Sequence, residues 1–110
     1  DVNLVMAEND PMLIGAMTAL DNAGITYGTD GTAQLISAAD GSKDGYDAIK
    51  EGKILAIGEN SPVKIAELGM QIAQEILVDG EDPESYDDIT MTEAAAVTAE
   101  NVDEHYDYGF

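Results

Sequence analysis

Arginine, cysteine and tryptophan are all absent from this 110-residue chain. Without arginine it cannot supply the planar guanidinium that clamps carboxylates and phosphates, so a neutral, hydroxyl-rich ligand fits better than an anionic one. Without cysteine, disulfides, thiolate nucleophiles and cysteine-bound metals are excluded. The only phenylalanine is the last residue and tryptophan is absent, so a thick aromatic core is excluded.

Positive charge is scarce as well, because four basic residues stand against 23 acidic ones and the formal net charge is -19. A surface of this kind repels nucleic acids and anionic membranes, so no nucleic-acid partner is expected. No apolar run approaches the length needed to cross a bilayer. The length is that of one small domain with a modest core.

Three strand-helix units follow one another along the chain. Short apolar runs predict strands at residues 2–7, 34–39 and 54–58, the first of them covered on both faces. The helices predicted after them begin at Pro11, Lys43 and Pro62 and end at Gly24, Gly52 and Gly80. This order predicts an α/β fold with a parallel sheet and right-handed crossovers.

The rest of the chain gives weaker signals. A last short strand is predicted at residues 89–91, and a helical turn within residues 98–106. The aromatic residues of the tail are expected to hold the C-terminus against the body. The acidic segment 79–88 lacks the ligand order of a calcium loop, so neither a metal nor another cofactor is expected.

Polar side chains follow each predicted strand, and the carboxyl ends of parallel strands are where open α/β sheets bind ligands. Asn9 and Asp10 follow the first strand, Asp40 the second and Asn60 the third. Asparagine and aspartate together can pair the hydroxyl groups of a polyol. Ordinary turn and cap chemistry is the alternative, and for Asp10 a helix N-cap is the favoured interpretation.

A phosphoryl-transfer enzyme that uses Asp10 and Asp40 as a magnesium-binding pair is a second interpretation. The sequence offers it no glycine-rich phosphate loop and no Ser-His-Asp order. The lone histidine, His105, lies in the tail and is expected to be solvated. Glu59 places a further charge beside Asn60, where it is expected to influence the preferred ligand.

Three segments resemble type I periplasmic sugar-binding proteins, the ribose- and galactose-binding components of ABC transporters. Residues 7–16 (AENDPMLIGA) are similar to the Asn-Asp segment of that family, and Asp40-Gly41 with residues 48–53 resembles its next segment. Residues 60–62 (NSP) resemble the hinge, and residues 98–110 resemble the C-terminus. The segments occur in the family's order, which is more specific than any one of them.

The resemblance implies a binding protein and not an enzyme. By this likeness Asn9, Asp40 and Asn60 hydrogen-bond a neutral sugar or related polyol, and Asp10 supports the site. It implies a two-lobed fold at least twice this length, in which residues 1–60 form part of the C-terminal lobe. Residues 61–90 then form the hinge crossing and a helix that packs on the missing N-terminal lobe, and residues 91–110 form the tail.

The same resemblance implies delivery of the sugar to the membrane permease of an ABC transporter. The expected location is periplasmic or extracellular, with a membrane tether through an absent N-terminal lipoprotein signal as one arrangement. The effector-binding half of a sugar-responsive transcription regulator remains an alternative, because it shares the fold and a similar Asn-Asp segment.

Overall fold

A computed structural model describes residues 2–110, which form four strands and four α-helices. In chain order these are β1 (Leu4–Ala7), α1 (Asp10–Asn22), β2 (Gln34–Ser37), α2 (Lys43–Lys50), β3 (Ala56–Glu59), α3 (Pro62–Leu77), β4 (Ala95–Thr98) and α4 (Val102–His105). Two 3-10 turns cover Pro83–Ser85 and Tyr106–Tyr108. The three predicted strand-helix units are all present.

The helices begin and end at capping residues that can be recognised in the sequence. The side-chain oxygens of Ser42 and Ser61 accept hydrogen bonds from backbone N–H groups in the first turns of α2 and α3, as N-caps do. The three glycines predicted to stop the helices have φ between +68° and +80°, a conformation that costs glycine little.

The sheet has the order β1-β2-β3-β4. The first three strands are parallel, with Ala7 opposite Ser37 and Ser37 opposite Ile57. β4 then runs antiparallel to β3 and places Val97 opposite Ile57. The strand predicted at residues 89–91 is wrong, because the last strand lies at Ala95–Thr98.

Within residues 2–110, the helices cover one face of this sheet and not the other. Right-handed crossovers that move steadily along a sheet place each helix on the same side, and α1 and α2 contact each other and the strands beneath them. The odd-numbered strand residues point into this layer. The buried cluster comprises Leu13, Leu35, Tyr46, Ala48, Ile49, Ile54, Ile57, Val97 and Val102.

The opposite face of the sheet carries apolar side chains that no other part of the described chain covers. Leu4 is 54% exposed and Met6 is 68% exposed, while Ile36 and Ala56 on the same face are only partly buried. The prediction that residues 2–7 are covered on both faces is therefore wrong for the described residues. An apolar run predicts burial, but no element within residues 2–110 covers this face.

Helix α3 projects from the body. None of its residues is buried, and its large apolar residues Ile65, Met70 and Leu77 are 50%, 72% and 82% exposed. The principal extents are 60 × 24 × 18 Å, and the radius of gyration of 17.6 Å exceeds the roughly 13 Å expected for a compact domain of this length. Within residues 2–110, no helix combines the length and apolar character needed to cross a membrane.

Among the C-terminal aromatic residues, Tyr106 holds the end of the chain against the body as expected, whereas Phe110 is 55% exposed. The Tyr106 hydroxyl donates to a carboxylate oxygen of Asp47 at 3.0 Å, and the Lys50 ammonium lies 3.9 Å from the Tyr106 ring centroid. The backbone carbonyl of Tyr108 accepts from the Ser61 hydroxyl at 2.7 Å. These contacts tie the tail to α2 and to the first turn of α3.

Candidate functional site

The carboxyl ends of β1, β2 and β3 meet at one edge of the sheet. Backbone pairing continues past the strands, since the Ala38 N–H donates to the Ala7 carbonyl at 2.9 Å and the Asn60 N–H donates to the Asp40 carbonyl at 3.0 Å. Neighbouring strands lie about 4.8 Å apart. The strands that precede Asn9 and Asn60 are therefore about two spacings, roughly 10 Å, apart, and the strand that precedes Asp40 lies between them.

Asn9 caps α1 and keeps a free donor. Its backbone is extended, with φ -152° and ψ 169°, and its Oδ1 accepts from the Met12 N–H at 3.0 Å. Among residues 2–110 no hydrogen bond involves its Nδ2. The cap holds the carboxamide in one orientation and leaves the amide group available to a ligand.

Asp40 has a backbone conformation that few residues other than glycine adopt. Its φ is 98°, the one positive φ of a non-glycine residue among residues 2–110. Such a conformation costs about 1–3 kcal/mol and persists only where the surroundings enforce it. The Asp40 carboxylate is partly exposed, and no side chain or backbone group of the described residues hydrogen-bonds to it.

Asp10 enforces the turn that follows Asp40. The carboxylate is completely buried, and its Oδ2 accepts from the Gly41 N–H at 3.1 Å, the Ser42 N–H at 2.7 Å and the Ser42 hydroxyl at 2.9 Å. Asp10 therefore contacts the loop that carries Asp40 across a distance of thirty residues in sequence.

The N-cap interpretation of Asp10 is wrong. The helix begins at Asp10 itself, one residue later than a cap position, and Asn9 supplies the capping oxygen. Spacing alone could not separate the two residues because both are good caps and both precede Pro11. Complete burial and three protein donors on Oδ2 argue against a magnesium or phosphoryl-transfer pair with Asp40, while Oδ1 is buried without a hydrogen-bond partner among the described residues.

Asn60 is exposed and follows β3 directly. No hydrogen bond from its carboxamide occurs within the described residues, so both its donor and its acceptor are available. Asn60 also borders a cavity of about 340 Å³ between α3 and residues 90–92. The other walls of this cavity are mainly apolar, including Ile65, Leu68 and Met91.

Glu59 does not place its charge beside Asn60, contrary to the sequence-based expectation. Its side chain is 1% exposed, and Oε1 accepts from the Tyr46 hydroxyl at 2.9 Å and faces His105 Nδ1 at 2.9 Å. Oε2 pairs with the Lys64 ammonium. The prediction that His105 is solvated is wrong, because its side chain packs against the Glu59 carboxylate and is only 17% exposed.

Burial and hydrogen bonding act in opposite directions on Glu59. Burial by itself raises the pKa of the carboxyl, but hydrogen bonds from Lys64, His105 and Tyr46 outweigh it and hold the Glu59 pKa below its ordinary value. Burial and the bond to Glu59 raise the pKa of the Tyr46 hydroxyl. Glu59 is thus an ionised carboxylate inside the protein, and sequence reasoning missed its partners because they lie far apart along the chain.

The chain consequently combines three parallel strands in a mixed sheet, polar residues at their carboxyl ends and a strained aspartate there. These features define a chain of the α/β class with a candidate ligand-binding edge. Similarity to solved structures agrees. A galactofuranose-binding protein superposes with a TM-score of 0.73 at 28% identity, over 96% of this chain and 33% of that one.

Two further comparisons give the same result. The binding protein of the arabinose ABC transporter from Shewanella sp. ANA-3 superposes with a TM-score of 0.71 at 26% identity, over 96% of this chain and 32% of that one. The xylitol-binding protein of Mycolicibacterium smegmatis is 35% identical over 100 residues, which are 90% of this chain and 26% of that protein.

The ribose import binding protein RbsB of Salmonella typhimurium is 35% identical over 77 residues, 70% of this chain and 24% of that protein. No family model matches the chain. The chain spans about a quarter of the length of the curated relatives it matches. It is homologous to one part of the type I periplasmic sugar-binding proteins, so the predicted resemblance and fold class are confirmed.

These relatives are named as binding proteins, which agrees with the expectation of a binding protein and not an enzyme. The names of these relatives describe import and transporter components.

Proposed function

We propose that this chain supplies one side of the binding site of a solute-binding protein that takes up a neutral sugar or related polyol outside the cytoplasm. The observation that supports this most strongly is the edge of the sheet that carries Asn9, Asp40 and Asn60. The three residues offer an amide donor, a carboxylate acceptor and a complete carboxamide, none of them occupied by a protein partner within residues 2–110. Neutral hydroxyl groups can pair with all three.

Charge argues for an uncharged ligand. The net charge is -19 and no arginine is present, while the carboxylate of Asp40 occupies the centre of the edge. A sugar phosphate or sugar acid would meet repulsion there without a guanidinium to offset it. The hydroxyl groups of a neutral molecule can instead donate hydrogen bonds to both carboxylate oxygens of Asp40 without charge repulsion.

We propose a second lobe that completes the site, as in the two-lobed relatives. Helix α3 has no buried residue, and its apolar side chains would lie against that N-terminal lobe. The uncovered face of the sheet, with Leu4 and Met6, would be covered by a further segment of the same protein. Residues 1–60 then belong to the C-terminal lobe, residues 61–90 to the hinge and crossing helix, and residues 91–110 to the tail.

The sugar would be delivered to the membrane permease of an ABC transporter, because relatives in this family are named as import components. The proposed location is the periplasm or the extracellular space, with an N-terminal lipoprotein tether as one arrangement. The upstream sequence tests this directly. A secretory or lipoprotein signal upstream would support the transport function. A basic DNA-binding helix pair upstream would instead support the transcription regulator.

Ligand class is tested by calorimetry of the full-length protein. Neutral pentoses, hexoses and polyols should include at least one ligand with a dissociation constant in the micromolar range or tighter, while the corresponding sugar phosphates and sugar acids should bind at least 100-fold more weakly. Preferred binding of an anionic sugar would contradict the proposal.

The contact of α3 with a second lobe is tested by truncating one apolar side chain. Ile65→Ala should lower the free energy of unfolding of the full-length protein by about 2–3 kcal/mol, the cost of truncating a buried isoleucine. Glu67→Ala on the same helix, also exposed in this structure, is the matched control and should stay within about 0.5 kcal/mol of the parent. If both variants change the free energy of unfolding by equally small amounts, the proposed contact between α3 and a second lobe is contradicted.

A further inference from the structure

We propose that the buried Glu59 is a positioning residue for sugar binding, which acts through Tyr46 to hold the turn carrying Asp40 in its strained conformation. This inference rests on the proposed function. It differs from a direct role, because the Glu59 side chain is 1% exposed and cannot reach a ligand.

Tyr46 is the contact between Glu59 and the turn. Its ring is completely buried under the loop after β2, and its hydroxyl donates to Glu59 Oε1 at 2.9 Å. A Cβ built on Gly41 would lie 2.4 Å from the Tyr46 hydroxyl oxygen and 3.4 Å from Cγ of Glu59. Gly41, with φ 87°, therefore rests directly on the phenol group.

Glu59 supports the same turn from a second direction. It is the last residue of β3, and the next residue, Asn60, donates its backbone N–H to the Asp40 carbonyl at 3.0 Å. Any shift of the Glu59 backbone would move the donor that fixes Asp40 from the β3 side. Asp10 fixes the turn from the α1 side through Gly41 and Ser42.

Three hydrogen-bond donors face the Glu59 side chain, so the side chain needs the two accepting oxygens of a carboxylate. Tyr46, His105 and Lys64 converge on two oxygens, and these donors come from α2, α4 and the first turn of α3. A glutamine at position 59 would offer only one accepting oxygen and would point an NH2 group at another donor. The phenol would then lose its fixed position, and the turn above it would relax from the positive φ at Asp40.

The test uses the full-length protein and two matched tyrosine variants. Tyr46→Phe removes only the hydroxyl that links Glu59 to Gly41, and Tyr106→Phe removes a hydroxyl that donates to a different carboxylate, Asp47. Calorimetry should show at least a 10-fold loss of affinity for the cognate sugar in Tyr46→Phe and less than a 2-fold change in Tyr106→Phe. Amide hydrogen exchange at Gly41 should be faster only in Tyr46→Phe.

The double variant Glu59→Gln with Tyr46→Phe separates a positioning role from general stability. If Glu59 acts through Tyr46, the losses of affinity caused by the two single substitutions are not additive. The double variant then has about the same affinity as the single variant that binds the sugar more weakly. A lower melting temperature with unchanged affinity in both single variants would overturn the inference. Absence of sugar binding by the parent protein would instead overturn the proposed function.

Discussion

The backbone N–H of Asn60 donates to the carbonyl oxygen of Asp40 at 3.0 Å, which joins two loop residues from neighbouring strands at the edge of the sheet. The bond extends the parallel pairing of β2 and β3 beyond their regular ends. It also holds Asp40 in a conformation with φ 98°. A backbone that is both strained and tied in this way is expected where a side chain must be presented to a ligand.

Substitution of Asp40 should separate stability from binding. Asp40→Gly removes the backbone strain, so the melting temperature of the full-length protein should stay the same or rise, while affinity for the sugar is lost with the carboxylate. Asp40→Ala should lose affinity equally but also destabilise by about 1 kcal/mol, because alanine tolerates a positive φ poorly. Thermal unfolding and calorimetry measure the two effects. Retained affinity in both variants would remove Asp40 from the site.

Asp10 should matter mainly for stability and for the shape of the turn. Asp10→Ala leaves the N–H groups of Gly41 and Ser42 without their buried acceptor, so the free energy of unfolding should fall by about 3 kcal/mol. Denaturant titration of the full-length protein measures this. Asp30→Ala removes an exposed carboxylate and serves as the control, with an expected change under about 0.5 kcal/mol. Similar losses in both variants would contradict the account of Asp10.

Two glycines should respond to alanine in opposite directions. At Gly45 a Cβ would lie 2.6 Å from Asp10 Oδ2 and 2.7 Å from Cδ1 of Ile57, so Gly45→Ala should cost about 1–3 kcal/mol. At Gly15, within α1, a Cβ would meet no atom within 4 Å, and Gly15→Ala should stabilise by about 0.5–1 kcal/mol. Chemical denaturation compares the two variants. A stabilising Gly45→Ala would show that Asp10 and Gly45 are not in contact.

Glu59 should contribute a defined part of the acid sensitivity. Its pKa is lower in the folded protein than its ordinary value of 4.5, so the ionised carboxylate stabilises the fold fully above about pH 4.5. That contribution is lost as the pH falls through the folded pKa. The difference in melting temperature between the parent and Glu59→Gln should therefore shrink as the pH falls below about 4.5. A difference in melting temperature that grows as the pH falls would contradict a lowered Glu59 pKa in the folded protein.

Local sequence signals predicted the strand-helix units well. Ser42, Ser61 and the glycine stops act within a few residues of the helix ends they define, so their chemistry is visible in the sequence. The parallel order of β1 to β3 follows from the same units. For the candidate site, the chain order of the strands predicts that Asn9, Asp40 and Asn60 follow neighbouring parallel strands, and their role in binding stays a prediction.

The contacts that sequence reasoning missed join distant parts of the chain. Ala95–Thr98 is rich in alanine, a poor strand former, and becomes a strand because it pairs with β3. Glu59 and His105 lie 46 residues apart, so nothing in the spacing marked them as partners. The exposed face with Leu4 and Met6 was also missed, since an apolar run specifies that a strand is to be buried but not which element buries it.

The central claim is that Asn9, Asp40 and Asn60 contact one small molecule, and the most direct measurement is a crystal structure of the full-length protein with its cognate sugar. We predict Asn9 Nδ2, an Asp40 carboxylate oxygen and the Asn60 carboxamide all within hydrogen-bonding distance, about 2.7–3.2 Å, of hydroxyl groups on the same sugar. A sugar bound elsewhere, or one that leaves two of these three side chains in contact only with solvent, would contradict it.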